Sequence, residues 1–398
     1  MFCSAAFAIL VFAAAGQEQS AATRSAELQA QREEKSRQLK PEQQSKAARV
    51  LHKFEDDLLL ERLFNPPRGL YLRWGGLGEG SGIGVGPGYR YSTGEFDFRV
   101  SAAGSIKGYF GADATLILPG AIKDGPFVEL YARRRDLPQE DFFGLGPDSA
   151  VENRTNFALR DTLGRVSGGF RAGGLTAGVR GGYLDPSIGS GTDSGMPSTD
   201  EIFPTFQIPG FDQQPAFTIV EPFLEFVHAE PELNPISGTK IRLTYSRYSD
   251  RDFDRFSFQR WDVDAQLYIP FFNRSRTLVL RALAASADAE SGHEVPFYLQ
   301  PVLGGAYTLR GFRTFRFRDL SFALFQAEYR WRINELVHGA LFYDTGAVAR
   351  TLSDLGKLES DYGFGIRIGG RGGIAFRTDI AFGSGEGTRY LIRFENVF

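Results

Sequence analysis

The sequence predicts an all-β protein: a transmembrane antiparallel β-barrel of about sixteen strands with a short N-terminal periplasmic helix. Three observations predict this fold. Apolar and polar residues alternate with a period of two in many successive runs, no helical segment separates these runs, and short connections alternate with long ones. The composition agrees with strands that are apolar on one face only, since 42% of the residues are hydrophobic, the net charge is -3, and the chain holds 47 Gly, 36 Phe and 15 Tyr.

The N-terminal stretch predicts a targeting segment. An apolar run over residues 5–15 ends in Ala13-Ala14-Ala15 and is too short to span a bilayer as a helix, so residues 1–15 are predicted to form a secretory signal peptide. No Lys or Arg precedes the run, and Cys3 stands before it. Removal of this segment leaves a mature chain without cysteine, which excludes disulfides and thiol chemistry.

Residues 16–67 predict a periplasmic polar and amphipathic helical segment. Residues 17–44 are rich in Gln, Glu, Arg, Lys and Ala, as in a solvated helix or a disordered chain. Apolar residues then recur at helical spacing until Asn65-Pro66-Pro67 ends the run; they are Ala47, Leu51, Phe54, Leu58 and Leu59. The plainer interpretation is a linker helix, and the alternative is a helix at the periplasmic rim or in the barrel mouth.

From residue 68 to residue 398 the period changes from helical to two-residue, which predicts the barrel. In residues 322–333, for example, Phe325, Tyr329 and Trp331 alternate with polar and charged residues. The predicted strands lie near residues 70–76, 81–91, 95–105, 108–118, 126–135, 155–170, 173–184, 216–229, 238–249, 256–270, 276–287, 320–333, 337–349, 361–369, 371–383 and 388–398. An even number of strands is typical of bacterial single-chain barrels.

The connections predict the orientation of the barrel. Most connections at one end are short, such as Ser92-Thr93-Gly94, whereas the long ones, residues 136–154, 185–215 and 288–319, all fall at the other end. Short periplasmic turns with long outer loops are the arrangement of outer-membrane barrels.

The last strand predicts a C-terminal insertion signal. The residues on one face are Tyr390, Ile392, Phe394 and Phe398, while Arg389, Arg393 and Glu395 lie on the other. Because any final barrel strand needs lipid-facing aromatic residues, this pattern supports a barrel more than any particular activity.

One long loop carries the motif Gly304-Gly305-Ala306-Tyr307-Thr308-Leu309-Arg310-Gly311-Phe312. About thirty residues later come Phe342-Tyr343-Asp344-Thr345-Gly346, and the chain ends on an aromatic residue, Phe398. This combination resembles the C-terminal barrel of the outer-membrane assembly proteins, the BamA/TamA-like bacterial surface antigen superfamily. The resemblance covers residues 68–398. Members commonly carry polypeptide-transport-associated domains before the barrel, and the stretch before residue 68 is too short for even one.

The resemblance implies roles for single residues. The loop motif is Leu309, Arg310, Gly311 and Phe312, and the strand motif includes Phe342 and Gly346. By parity, Asp344 and Glu328 point into the barrel from adjacent strands. The resemblance implies that Arg310 turns back into the lumen and bonds Asp344, with Glu328 near. The plainer interpretation leaves Arg310 in a solvated loop, where a screened contact contributes only about 0–1 kcal/mol.

The resemblance also implies the function: insertion or translocation of polypeptide, or of lipid, at the bacterial outer membrane, through a weak seam between the first and last strands. The implied partners are outer-membrane lipid, unfolded outer-membrane or secreted polypeptides, and a separate periplasmic protein. The competing function is a pore-forming or structural barrel without assembly activity. No enzyme, cofactor, metal or nucleic acid is expected, because the four histidines lie on different elements and no nucleophile has a nearby base.

Overall fold

The computed structural model describes residue 66 and residues 68–119, 124–230, 235–334, 337–370 and 373–393. The predicted signal peptide, nearly all of the predicted N-terminal helical segment, and Phe394 and Phe398 lie outside these residues. No helix in the described ranges has the length and apolarity needed to cross a membrane.

The described chain forms an antiparallel sheet of sixteen strands, and the predicted fold class is confirmed. Each strand pairs with its neighbour in sequence, except that β11 pairs with β14 because β12 and β13 form a separate two-stranded hairpin. The strands are β1 Arg68–Gly75, β2 Gly84–Ser92, β3 Asp97–Ser105, β4 Phe110–Leu118, β5 Gly125–Phe142, β6 Thr155–Ala172, β7 Leu175–Ser190, β8 Phe217–Glu230, β9 Ser237–Asp250, β10 Phe258–Phe271, β11 Arg276–Ala289, β12 Val302–Leu303, β13 Phe317–Arg318, β14 Ser321–Arg332, β15 Val337–Ala349, β16 Glu359–Gly370, β17 Gly373–Phe382 and β18 Arg389–Arg393.

The two-residue alternation sorts side chains between the two faces of the barrel wall. On β10, Trp261 and Leu267 are exposed on the outer face, whereas Gln266 is buried inside. On β14, Phe325 faces out, while Glu328 is fully buried in the interior. The outer face is therefore apolar and the inner face is polar and charged, as the sequence predicts.

Two strands run further than predicted. β5 continues to Phe142 and β7 to Ser190, so the loops after them are residues 143–154 and 191–216. The extra residues stay in the ladder, because Phe142 pairs with Thr155 across a bulge and Ser190 pairs with Phe157. The extended ends of these strands pack against loops instead of separating lipid from the interior. Their sequence therefore lacks the alternation of apolar and polar residues that predicts a strand.

The long loops pack together over the interior at their end of the barrel. Their core joins strand residues Phe142 and Phe157 to loop residues Ile208, Phe211 and Phe297. Phe297 makes edge-on contacts with Phe142 and Phe157, with ring centroids 5.4 and 4.9 Å apart. The loops thus form a cap with its own apolar core.

The edges of the sheet are β1 and β18. Within the described ranges, β1 pairs only with β2, and β18 pairs only with β17. The described part of β18 has five residues, against eight in β1. The barrel is therefore nearly closed, with a seam where β1 and β18 face each other.

Candidate functional site: an arginine loop inside the barrel

The connection between β11 and β14 turns inward and places residues 304–312 in the interior. The turn is tight: the N–H of Gly305 donates to the Leu309 carbonyl over 3.2 Å, and the N–H of Gly304 donates to the Thr308 hydroxyl over 2.9 Å. Gly304 has φ +109°, and a Cβ there would lie 2.3 Å from the Arg313 carbonyl oxygen. Only glycine fits this position, which explains the first residue of the motif.

Apolar residues hold the turn against the wall. The loop and hairpin contribute Leu303, Leu309, Phe312 and Phe317, all buried, and the wall contributes Ala285, Phe322, Leu324 and Val348. The rings of Phe312 and Phe317 lie 5.2 Å apart. Burial of these side chains stabilises the inward path of the loop, at roughly 1.5–3 kcal/mol for each fully buried large side chain.

Arg310 reaches from this turn to two strands and is fully buried. Its Nε donates to Asp344 Oδ2 over 2.6 Å and its Nη2 donates to Asp344 Oδ1 over 2.7 Å, a two-bonded fork. Its Nη1 donates to Glu328 Oε2 over 2.6 Å. The guanidinium lies over the ring of Phe342, 3.6 Å from the centroid. The structure thus brings together the residues that the two motifs single out on the loop, β14 and β15.

The charge of Arg310 is maintained in this setting. Burial alone would lower the pKa of its guanidinium, but the carboxylates of Asp344 and Glu328 raise the pKa above its ordinary value. Arg310 therefore stays protonated at any physiological pH, and pH does not release the loop through this residue.

The network extends beyond the residues that the sequence singled out. Glu328 also accepts from Arg330 over 2.7 Å and from Arg367 over 2.9 Å. Asp379 on β17 accepts from Arg367 and Arg377, each over 2.6 Å. Strands β14 to β17 are therefore joined through buried ion pairs as well as through their backbone ladders.

Gln326 connects the network back to the loop. Its side-chain amide donates to the Thr308 carbonyl over 2.7 Å and to Asp344 Oδ1 over 3.1 Å. Gln326, Arg330, Arg367, Arg377 and Asp379 were not predicted as site residues. All five lie on the polar faces of their strands, so parity was the signal that could have found them.

Two glycines permit close packing around Arg310. A Cβ on Gly311 would lie 2.6 Å from the Cβ of Asp361, which pairs with Asp344 across the sheet. A Cβ on Gly346 would lie 2.7 Å from the Ala323 carbonyl oxygen and 3.2 Å from a methyl of Leu303. Gly311 thus lets the loop backbone touch β16, and Gly346 lets the inner hairpin touch β15.

A second attachment lies beyond the turn. Glu386, in the connection between β17 and β18, accepts from the Arg316 guanidinium and, over 3.2 Å, from the N–H of Arg313. Arg316 also donates to the Ser149 carbonyl over 2.6 Å. The loop is thereby tied to the long connection after β5 and to the short connection after β17.

The tip of the loop lies beside the seam. Arg393 on β18 donates to Glu79, in the connection after β1, over 3.1 Å, and stacks over Tyr307 at 3.5 Å from the ring centroid. A Cβ on Gly305 would lie 2.1 Å from Glu79 Oε2. Side chains from both edges of the sheet therefore meet at the loop tip.

The predicted C-terminal signal is partly described. Tyr390 and Ile392 are 74% and 64% exposed, as lipid-facing residues should be. Phe394 and Phe398 lie outside the described residues.

Comparison with known proteins places the loop and its partners in a single domain. Residues 230–389 match the Omp85 superfamily domain, and this span includes Arg310, Glu328, Asp344 and Asp379. Over these residues the chain is similar to the Omp85 superfamily domain. The resemblance seen in the sequence is confirmed over residues 230–389, and the match agrees with the predicted location in the bacterial outer membrane.

Solved structures resemble this barrel at low sequence identity. BamA from Haemophilus ducreyi lacking POTRA domains 1-3 has a TM-score of 0.60 and 14% identity, covering 82% of this chain and 70% of that one, and establishes the fold. CdiB from Acinetobacter baumannii has a TM-score of 0.44 and 11% identity, covering 81% of this chain and 56% of that one. CdiB from Escherichia coli has a TM-score of 0.47 and 15% identity, covering 86% and 67%. No curated protein matches the sequence.

Proposed function

We propose that this barrel inserts or translocates polypeptide at the outer membrane, working through the seam between β1 and β18. The observation that carries the proposal is the Arg310 loop, folded into the lumen within the Omp85 domain and bonded to Asp344 and Glu328. Omp85 barrels as a group have a general role in outer-membrane assembly and translocation, and the proposal assigns that role to this chain.

The seam supports this role because, among the described residues, its two strands are paired along one edge only. In the described ranges β1 and β18 each have one hydrogen-bonded neighbour. An unpaired strand edge can accept an incoming strand by hydrogen bonding, with side-chain pockets adding selectivity. Among the described residues, a mostly buried ion pair between Arg393 and Glu79 joins β18 to the connection after β1, and a client strand would have to displace it.

The loop supports the role in a different way. It occupies the interior and joins β14 through β17 into one charged network, so these strands stay together while the seam opens. A client that enters at the seam can then grow the sheet without unfolding β14 to β17, the strands that lead up to β18.

A pore or structural barrel without assembly activity is the competing function. The inward loop and the apolar cap both stand in the path of a solute, which argues against an open pore. Solute flux is therefore the measurement that separates the two functions.

The test measures how fast an unfolded reporter barrel folds into liposomes. Empty vesicles are compared with vesicles that hold the wild-type protein, Arg310→Ala, or a seam-linked variant. In the last, Glu79→Cys and Arg393→Cys are joined by a short bifunctional maleimide. The matched control joins Arg255→Cys to Glu294→Cys, an ion pair of 2.8 Å at the cap, away from the seam.

We expect the wild type and the cap-linked control to accelerate folding, and the seam-linked variant to lose the acceleration while remaining folded. Acceleration that survives the seam link would overturn the seam mechanism. Solute leakage without acceleration would instead establish a pore.

A further inference from the structure

A second candidate site lies in the lumen, away from the Arg310 network. A cavity of about 230 Å³ is enclosed by the inner faces of β5 to β9 and by Tyr298 and Leu299 of the cap. Its charged lining is Arg133, Arg135, Asp161, Arg165, Arg180 and Glu221.

The cavity has an excess of positive charge. Four arginines and two carboxylates line it, an excess of two. Asp161 alone serves both Arg133 and Arg135. Charged partners just outside the lining reduce this excess to one. Glu129 and Glu225 add two negative charges. Arg242, which also pairs with Glu225, adds one positive charge.

Among the four cavity arginines, Arg165 is the one without a hydrogen bond to a carboxylate in the described structure. Its nearest carboxylate, Glu129, lies 3.8 Å away, beyond hydrogen-bond distance, and its guanidinium stacks on Tyr131. Its Nε has no hydrogen-bond acceptor, and neither does the Nε of Arg133 or the hydroxyl of Tyr298. These donors have hydrogen-bonding capacity to spare in a partly buried, positively charged site, and an anion suits both the charge and the free donors.

The rest of the lining is apolar. Leu163, Leu184 and Ile219 line the cavity with the ring of Tyr248. A bare inorganic ion would leave this surface facing water, whereas an organic anion would cover it. The volume lies below the range of about 300–1,000 Å³ usual for drug-sized ligands, so the ligand must be small.

We propose that this cavity binds a small organic carboxylate with a short apolar body. The carboxylate bonds Arg165, whose planar fork suits it, and Arg133 Nε and the Tyr298 hydroxyl are further donors that line the same cavity. The apolar body packs on Leu184 and Ile219. The site is separate from the seam and the Arg310 loop, so it stands or falls independently of the proposed assembly function.

The experiment is isothermal titration of the barrel in nanodiscs, with the signal of empty nanodiscs subtracted. The probes are acetate, hexanoate and inorganic phosphate. Hexanoate is expected to bind most tightly, with about a fourfold gain in affinity for each methylene buried. Arg165→Gln is expected to weaken hexanoate binding by at least about tenfold, because a charged hydrogen bond is lost.

Two further variants make the result decisive. Tyr298→Phe removes one donor and should weaken binding less than Arg165→Gln does. Arg160→Gln removes an exposed outward arginine that pairs with Asp136, and should leave binding unchanged. No binding, equal affinity for the three probes, or equal loss in Arg160→Gln and Arg165→Gln would overturn the proposal.

Discussion

At the residue scale, Arg310 stabilises the barrel because it neutralises two buried carboxylates, those of Asp344 and Glu328. Asp344 has Arg310 as its cationic partner and Gln326 as a further donor, whereas Glu328 also receives Arg330 and Arg367. Removing the Arg310 guanidinium therefore leaves Asp344 without a cationic partner, whereas Glu328 keeps Arg330 and Arg367. Buried charges without partners cost several kcal/mol.

The first prediction concerns Arg310→Ala. It should lower the free energy of unfolding by about 3–5 kcal/mol, and adding Asp344→Asn should recover part of this loss because the stranded charge is removed. Urea titration followed by heat-modifiable gel mobility measures both. Arg160→Ala, at an exposed pair, is the control and should change stability by about 0–1 kcal/mol. If Asp344→Asn adds its own full cost instead, the two residues do not act as a pair.

The second prediction concerns Gly311→Ala. The new methyl would meet the Cβ of Asp361 and the Phe382 carbonyl oxygen at 2.6 and 3.3 Å, so the loop must shift, at a cost of about 1–3 kcal/mol. Gly164→Ala, where the methyl meets nothing within 4 Å, should be neutral or slightly stabilising. The same unfolding titration compares them. Equal stability of the two variants would show that the loop does not touch β16.

Parity predicted which side chains face the interior, but it could not predict which of them meet. Glu328 and Asp344 lie on adjacent strands, so their proximity follows from sequence order once both face inward. The bond from Arg367 to Glu328 spans two strands and depends on the stagger of the barrel, which no single run of sequence encodes.

At the scale of elements, the strands were predictable within the membrane and less so beyond it. A lipid-facing strand must alternate, whereas the outer part of β5 contacts the cap and does not. The inner hairpin of β12 and β13 has two residues in each strand, too few to show a period. Its inward path is set by packing on the wall, which a sequence pattern does not show.

The third prediction tests the attachment of this hairpin to the cap. The Glu386 side chain is only 7% exposed and accepts from both Arg316 and the Arg313 backbone, so Glu386→Ala should free residues 304–318 without unfolding the barrel. Limited proteolysis and amide exchange of this segment should both accelerate, while gel mobility stays that of a folded barrel. Glu294→Ala breaks an exposed cap pair and is the control. Unchanged exchange in Glu386→Ala would mean that the Arg310 bonds alone fix the hairpin.

At the scale of the whole molecule, the sixteen strands differ in length and in the number of neighbours to which they are hydrogen-bonded. β5, β6 and β7 are the longest strands, with 18, 18 and 16 residues, and each is paired on both sides. β1 is shorter and has one described neighbour, and the side-chain contact of Glu79 with Arg393 is what crosses the seam. Local opening should therefore begin at the seam.

The last prediction follows from this inequality. Amides of β1 should exchange with deuterium at least about tenfold faster than those of β6, because opening the edge strand breaks one ladder and opening an interior strand breaks two. Exchange followed by mass spectrometry on the barrel in nanodiscs measures both strands in one sample. Glu79→Ala should widen the difference by accelerating β1 alone, whereas Asp136→Ala, which breaks an outward pair on β5, should leave β1 unchanged. If β1 and β6 are equally protected, the edge strand does not open first, and a client strand would have to displace more than the contact between Arg393 and Glu79.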